Sequence, residues 1–572
     1  MKSLNQTPIL MTLAISMGAC QAAEDGDRFR STYTTNVTLT AGDSGGPSCE
    51  PDQIFDVDPR RSLFETHQDA LVHFTMTSAL HAVATNAGLV SQPAKTHNQF
   101  VDTYDVAPGL GLGPHCDDDV AFDGSDGLNG YPHECPRAEG NQVGNIAEWF
   151  PIAAVNRFDL APTDGSNCGE ARLVLATNAA NRMFTIFEAQ IPNPDPECGI
   201  DACAPVQEFW ANLTNIDDPA VRADELRMAY MDGHPDLQAA GFGPFLSKDN
   251  LTFGTGQIRT NNFDQGPWSL REFKAIAVEE PAIKQALEDA VAMGEHQAVE
   301  MDGEIGLAGQ GTAPSAAMPL PKPLPSTIDV LRIIPVPVAA NPFGQLWNDN
   351  LVLPESVACQ DALVDTVQHL MNDDPNLMAV AMPPECLAAE SPDAFVQQYH
   401  LQLSGGTTGP GSLQQRIQDE ILAIDPGSTL TPANIARRAA FAGGCIGCHQ
   451  QTNNANLGNG VIAPASAFFV HTRENQLEDC GNGDVSCFFI SSALKSSFLP
   501  HRESVMETYL NGGPCCEEVG PVVDAEPLPS PLPTEPIPME DVDVQTFMEA
   551  EADIEAAGAP TNIGGGAVQR SH

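Results

Sequence analysis

The sequence predicts a multidomain protein whose larger part is an α+β region, an antiparallel sheet with helices, stapled by disulfides. Three observations lead there. The chain has 572 residues, more than one hydrophobic core organises, so two or three domains are expected. Its middle switches between short apolar or alternating runs and longer stretches of helical period, the mixture that separates α+β from all-helical chains. Its 15 cysteines suit an oxidising compartment rather than a reducing one.

The first 23 residues read as a targeting segment, with Lys2 as the positive start and Ile9 to Met17 as an apolar core too short to span a bilayer. It ends Met17-Gly18-Ala19-Cys20. This resembles the lipobox of bacterial lipoproteins and implies lipidation of Cys20; ordinary signal cleavage near Ala22 or Ala23 is the alternative. Residues 24–60, rich in Gly, Asp, Ser and Thr, read as a flexible tether.

Residues 61–350 are expected to form the α+β region. Arg61 to Ala87 carries a broad apolar face at helical spacing. Arg172 to Thr177 and Met183 to Ile191, separated by an Asn-Ala-Ala-Asn turn, predict a β-hairpin. Val206 to Leu213 and Pro219 to Met231 read as helices, the second with Asp218 as N-cap before its proline. Leu251 to Arg259, Ser269 to Ile276 and Ile328 to Val338 read as strands, and a Gly, Ala and Pro-rich connector lies between Gly303 and Pro325. A helical connecting region, 351–425, follows, with helices at Ser356 to Met371 and Ser412 to Ile424. Residues 517–572 are Pro and Glu-rich and read as a disordered tail.

Within 426–516, Thr431-Pro432 starts a helix that runs toward Cys445-Ile446-Gly447-Cys448-His449. Two cysteines three apart reach both vinyl groups of one porphyrin, and the adjacent histidine then meets the iron. The run therefore predicts one covalently attached haem c, with Cys445 and Cys448 as the attachment points and His449 as the proximal ligand. From about Thr431 to Gly513 the chain resembles the small all-helical cytochrome c module of c-type cytochromes: motif after a helix, a Gly and Asn-rich loop, a closing helix from Pro500 to Leu510. The resemblance covers about a seventh of the chain. It implies a small all-α C-terminal domain and a sixth iron ligand downstream, for which His471, Met506 and His501 are the candidates. The 61–350 region, through its Val155 to Pro162 and Trp268 to Phe273 segments, resembles a group of large exported bacterial proteins carrying one C-terminal haem motif; this implies no reaction.

Setting aside Cys20, Cys445 and Cys448 leaves twelve of the 15 cysteines, an even number suited to disulfides. Short-loop pairings are the first expectation: Cys116 with Cys135, Cys198 with Cys203, Cys359 with Cys386, Cys480 with Cys487. Asp117, Asp118, Asp119, Asp123, Asp126 and Asn129 offer oxygen ligands that could bind calcium, but their spacing departs from an EF-hand. Gly42-Asp43-Ser44-Gly45-Gly46-Pro47 reproduces the nucleophile loop of chymotrypsin-like proteases, yet no histidine precedes it, so Ser44 lacks a base. Val155 to Leu160 and Gly256 to Asn261 either line a pocket or form buried Arg–acid pairs.

The formal net charge of -50 excludes nucleic acid and anionic membrane faces as partners. With 42% hydrophobic and 18% charged residues, the chain is nonetheless globular. The reading is an exported monohaem c-type cytochrome, a periplasmic, outer-membrane or cell-surface lipoprotein that meets the membrane only through its lipid anchor. It would transfer electrons with a redox partner protein or a small-molecule donor or acceptor, its large region docking a partner or ligand. A haem-dependent peroxidase or oxygenase, and a surface binding protein with an accessory haem, are the alternatives.

Overall fold

The computed structural model describes residues 54–102, 138–139, 145–177, 183–262, 269–281, 298–301, 304–307, 327–350, 354–383, 386–388, 390–392, 398–447, 452–466, 472–481 and 483–513. Cys20, residues 24–53 of the expected tether, the Asp117 to Asn129 cluster, Cys116, Cys135 and the C-terminal tail lie outside them. The last part of that tether, 54–60, is instead fastened to the fold: Val57 is buried, its N–H donates to the Glu507 carboxylate at 2.9 Å, and the Phe55 N–H donates to the Asn511 side chain at 2.8 Å.

The centre is an eight-stranded sheet. Its strands are β1 (Phe64–Glu65), β2 (Trp149–Arg157), β3 (Asn167–Thr177), β4 (Met183–Pro192), β5 (Gln257–Asn262), β6 (Ser269–Pro281), β7 (Thr327–Val336) and β8 (Glu390–Pro392). Strands β2 to β7 form an antiparallel meander in chain order, β1 pairs outside β2, and β8 takes over the edge of β6 where β7 leaves it, Glu390 opposite Arg271 beyond Val336 opposite Glu272. The expected hairpin is present as β3 and β4, Leu173 facing Phe187 and Val174 facing Ile186.

Both faces of the central strands are buried, and the alternation shows what each face does. Leu173, Phe187, Ile258 and Phe273 join the main apolar core. The opposite face carries a ladder of charges. Arg172 bridges Glu170 at 2.7 Å and Glu188 at 3.0 Å, and Arg259 bridges Glu188 at 3.5 Å and Glu272 at 3.0 Å. Arg157 holds Asp159 at 2.9 Å. Burial alone would neutralise such groups, but the partners dominate: Arg259 keeps its proton more tightly than a free guanidinium despite burial, because Glu188 and Glu272 face it. Asp159 stays below the usual carboxylate range despite burial, because Arg157 and Arg502 face it. The segments at 155–160 and 256–261 thus hold buried Arg–acid pairs: Arg259 ties neighbouring strands together, whereas Arg157 pairs locally with Asp159, which Arg502 of the C-terminal helix also approaches at 3.7 Å.

Helices α1 (Met76–Thr85), α2 (Ala204–Asn212) and α3 (Pro219–Arg227) belong to this region. Asp218 caps α3 as expected, its carboxylate accepting the Ala220 N–H at 3.0 Å. Arg61 to Ala87 is not one helix: only α1 is α-helical, and Phe64–Glu65 pairs with β2. The buried Glu65 carboxylate takes the Arg222 guanidinium at 2.6 Å, so tertiary pairing overrides the local apolar face. The strand expected from Leu251 begins only at Gln257. Residues before it turn back through Thr252 and Thr255, and a Cβ on Gly256 would lie 1.9 Å from the Glu188 carbonyl oxygen.

Helices α4 (Pro354–Asp365), α5 (Tyr399–Ser404), α6 (Leu413–Ile424), α7 (Pro432–Ala442) and α8 (Leu499–Asn511) follow. The 426–516 segment departs from the all-helical expectation. Between α7 and α8 it folds two antiparallel ribbons, β9 (Asn456–Gly458) with β10 (Val461–Ile462), and β11 (Thr472–Glu478) with β12 (Cys487–Ile490). The first is turned by Asn459-Gly460 with positive φ at both, a tight-hairpin signature. One apolar cluster includes Phe273 of the sheet, Trp347 at the end of the 61–350 region, Leu363 of the connecting region, and Phe441, Ile446 and Leu510 of the C-terminal segment.

Disulfides Cys359–Cys386 and Cys480–Cys487 form as expected. Cys203 pairs instead with Cys168 across a Cα separation of 5.3 Å, because β3 delivers Cys168 to the turn before α2; Cys198 is in a disulfide as well. No described helix is long and apolar enough to cross a membrane.

Candidate functional site

Helix α7 leads into the cysteine motif. Thr431 and Asn434 form a reciprocal capping box and Pro432 occupies the first turn, which fixes where the helix starts. Arg438, fully buried on this helix, reaches both ways: it donates to the Leu457 carbonyl at 2.7 Å, the Leu370 carbonyl at 2.9 Å and the Asp373 carboxylate at 2.7 Å. It thereby fastens the strand after the motif and the loop after Val367–Leu370 to one helix. At the C-terminal end the backbone turns over Cys445–Gly447. A Cβ on Gly447 would lie 2.2 Å from the Phe441 carbonyl oxygen, and one on Gly443 1.9 Å from that of Ala340. Gly447 is needed for the turn to fold back on its own helix, and Gly443 for the Ala340 backbone to pass close to the helix end. The Thr452 hydroxyl locks the turn by donating to the carbonyls of Ile446 at 3.0 Å and Gly447 at 2.9 Å.

Against this turn lies a pocket of about 420 Å³, within the roughly 300–1,000 Å³ of small-molecule and cofactor sites. Ala440, Ile446 and Leu457 give it apolar walls, and Gln398, His400 and Arg437 give it polar ones. Helix α5 packs on α7 and is held by Tyr399, whose ring stacks on Trp347 at 5.3 Å. The Tyr399 hydroxyl donates to the Asn341 side chain at 3.1 Å and the Pro342 carbonyl at 3.0 Å. His400, the next residue, is half-buried, and its pKa is lowered by burial and then by Arg437, which favours the neutral imidazole. Arg437 makes no ion pair among the described residues. The arrangement can take a flat, largely apolar group that carries an acidic edge.

No family model, curated protein or solved structure matches the chain.

Among the residues predicted to hold the cofactor, Cys448, His449 and His471 lie outside the described residues, and of Cys445 only the backbone is described. The two remaining ligand candidates sit on α8, which packs on α2 and on the segments Pro59–Leu63 and Phe158–Leu160. Met506 is fully buried there, its sulfur accepting the Asn156 amide at 3.7 Å. His501 is close enough to Asp159 to lower that carboxyl's pKa. Neither lines the pocket beside the motif. That pocket's own residues, His400, Arg437 and Thr452, have no sequence signature: His400 lies between two predicted helices, and its proximity to the motif arises only from the packing of α5 on α7.

A second cluster, His67, Cys480 and Asp484, has metal-ligand composition. The Cys480 sulfur is committed to Cys487, and His67 Nε2 hydrogen-bonds the Asp484 carboxylate at 2.9 Å. It joins β12 to the segment after β1.

Proposed function

We propose that the protein is an exported monohaem c-type cytochrome that transfers electrons. The observation that carries the reading is the pocket abutting Cys445–Gly447, whose apolar walls and Arg437, which has no ion pair among the described residues, suit a porphyrin and its carboxylates. In a chain with 76 acidic and 26 basic residues, an arginine that no described carboxylate answers at a pocket wall favours an acidic ligand. Bound haem would supply a one-electron iron couple. Cys445 and Cys448 would tether it, His449 would hold the iron, and Arg437 would face its acidic edge. Ala440, Ile446 and Leu457 keep water from that wall, which limits reorganisation when the charge changes. The turn's lock through Thr452 and the anchor through Arg438 hold these residues in place without the cofactor.

Export, with lipidation at Cys20, accords with the disulfides, which form where thiols are oxidised. The acidic surface favours a cationic redox partner protein or a small-molecule donor or acceptor. The test is the purified protein made with haem-attachment machinery. Haem should remain with the polypeptide after denaturation and be lost from the Cys445→Ala, Cys448→Ala variant. A denatured wild-type chain free of haem overturns the reading.

A further inference from the structure

We infer that His400, rather than Met506 or His501, is the second axial ligand of the iron. The inference rests on the haem reading above, and its observation is separate: the identity of the donor atoms around the pocket. Of the described residues lining it, His400 alone has a nitrogen or sulfur suited to iron. Alanine, isoleucine and leucine offer none, amides and hydroxyls are poor partners for haem iron, and the Arg437 guanidinium donates hydrogen bonds but has no acceptor atom to give a metal.

Three further features favour it. Helix α5 packs directly on α7, so His400 and Ile446, which lies between the two attachment cysteines, line one cavity. Tyr399 is clamped by Trp347, Asn341 and Pro342, so the adjacent histidine sits on a rigid turn, as a ligand requires. Meanwhile Met506 is engaged by Asn156 within the core under α8, and His501 sits beside Asp159. Ligation from a residue ahead of the motif makes the connecting region part of the site and explains why α5 and α7 pack so closely. Two histidine ligands predict a lower reduction potential than histidine with methionine.

The experiment compares ferrous spectra, with and without carbon monoxide, of the full chain and its His400→Ala, Met506→Leu and His501→Ala variants, each first checked for covalent haem. Wild type and the two α8 variants should be six-coordinate and low-spin, with no change on adding carbon monoxide. His400→Ala should keep its covalent haem, become high-spin, bind carbon monoxide and return to low-spin with added imidazole. If His400→Ala fails to fold, His400→Met serves: it should fold, stay six-coordinate and move the midpoint potential upward. A low-spin, carbon monoxide-inert His400→Ala protein, or an unmoved potential in His400→Met, overturns the assignment while leaving haem attachment intact. Absence of covalent haem in wild type overturns both.

Discussion

The sheet and the pocket at the end of α7 use arginine in opposite ways. On the charged face of the sheet, Arg157, Arg172 and Arg259 are buried and answered by Asp159, Glu170, Glu188 and Glu272. At the pocket, Arg438 is spent on carbonyls and Asp373, while its neighbour Arg437 faces the cavity without a carboxylate among the described residues. Where its pairs cross between strands, as Arg172 with Glu188 and Arg259 with Glu188 and Glu272 do, the first arrangement helps fix register, since those charges meet only if the neighbouring strand is in place. The second leaves a charge that no described residue answers. An internal polar group with its partner in the fold reports on stability, and one without reports on binding.

The largest effect expected from this contrast is at the centre of the ladder. Replacing Arg259 with methionine keeps volume but leaves Glu188 and Glu272 without their shared cation. Breaking a buried pair from one side costs about 3–5 kcal/mol. Urea unfolding should show a loss of that order, whereas the haem spectrum of the folded fraction should be unchanged. A spectrum that shifts with Arg259→Met would mean that the two regions are one functional unit.

The sheet was legible because its signals are local. The alternation in Arg172 to Thr177 and Met183 to Ile191 and the Asp218-Pro219 start of a helix appear in the structure nearly where the residues place them. What escaped was non-local. Phe64–Glu65 looked helical because the Arg222 that captures Glu65 comes from 157 residues away, and Cys203 meets Cys168 only because a strand delivers it. The Asn459-Gly460 hairpin did carry its signal, obscured by the likeness of the segment to an all-helical module. For the candidate site the motif itself was readable, but its pocket was not: Arg437 looks like any helix-surface cation until α5 and the Ala455–Leu457 segment close around it.

A smaller effect comes from His97, buried against the Trp149 ring at 5.8 Å. Burial brings its pKa from 6.5 down to about 4. Because the folded value is the lower one, the unfolded chain takes up a proton that the folded chain refuses between those two values. Stability should therefore be full above about pH 6.5 and fall by roughly 3 kcal/mol toward pH 4. Urea midpoints across that range should show the slope, and His97→Gln should flatten it. A slope that persists in the variant would assign the acid sensitivity to another group, and not to Asp159, whose depressed pKa releases its stabilisation only below the ordinary carboxylate range.

The smallest effect on stability falls where the effect on function is sharpest. Arg437 is half-buried and bonds to no other described residue, so Arg437→Gln should change unfolding free energy by no more than about 0.5 kcal/mol. Its charge, however, lies at the wall of the pocket, where, with the proposed haem bound, a cation would stabilise the electron-rich ferrous form. Removing it should lower the midpoint potential in a redox titration, and the gap between wild type and variant should shrink as salt screens the charge. If Arg437→Gln instead destabilises the fold and leaves the potential alone, Arg437 belongs with the arginines of the sheet, and the contrast between paired and unpaired cations carries no functional meaning.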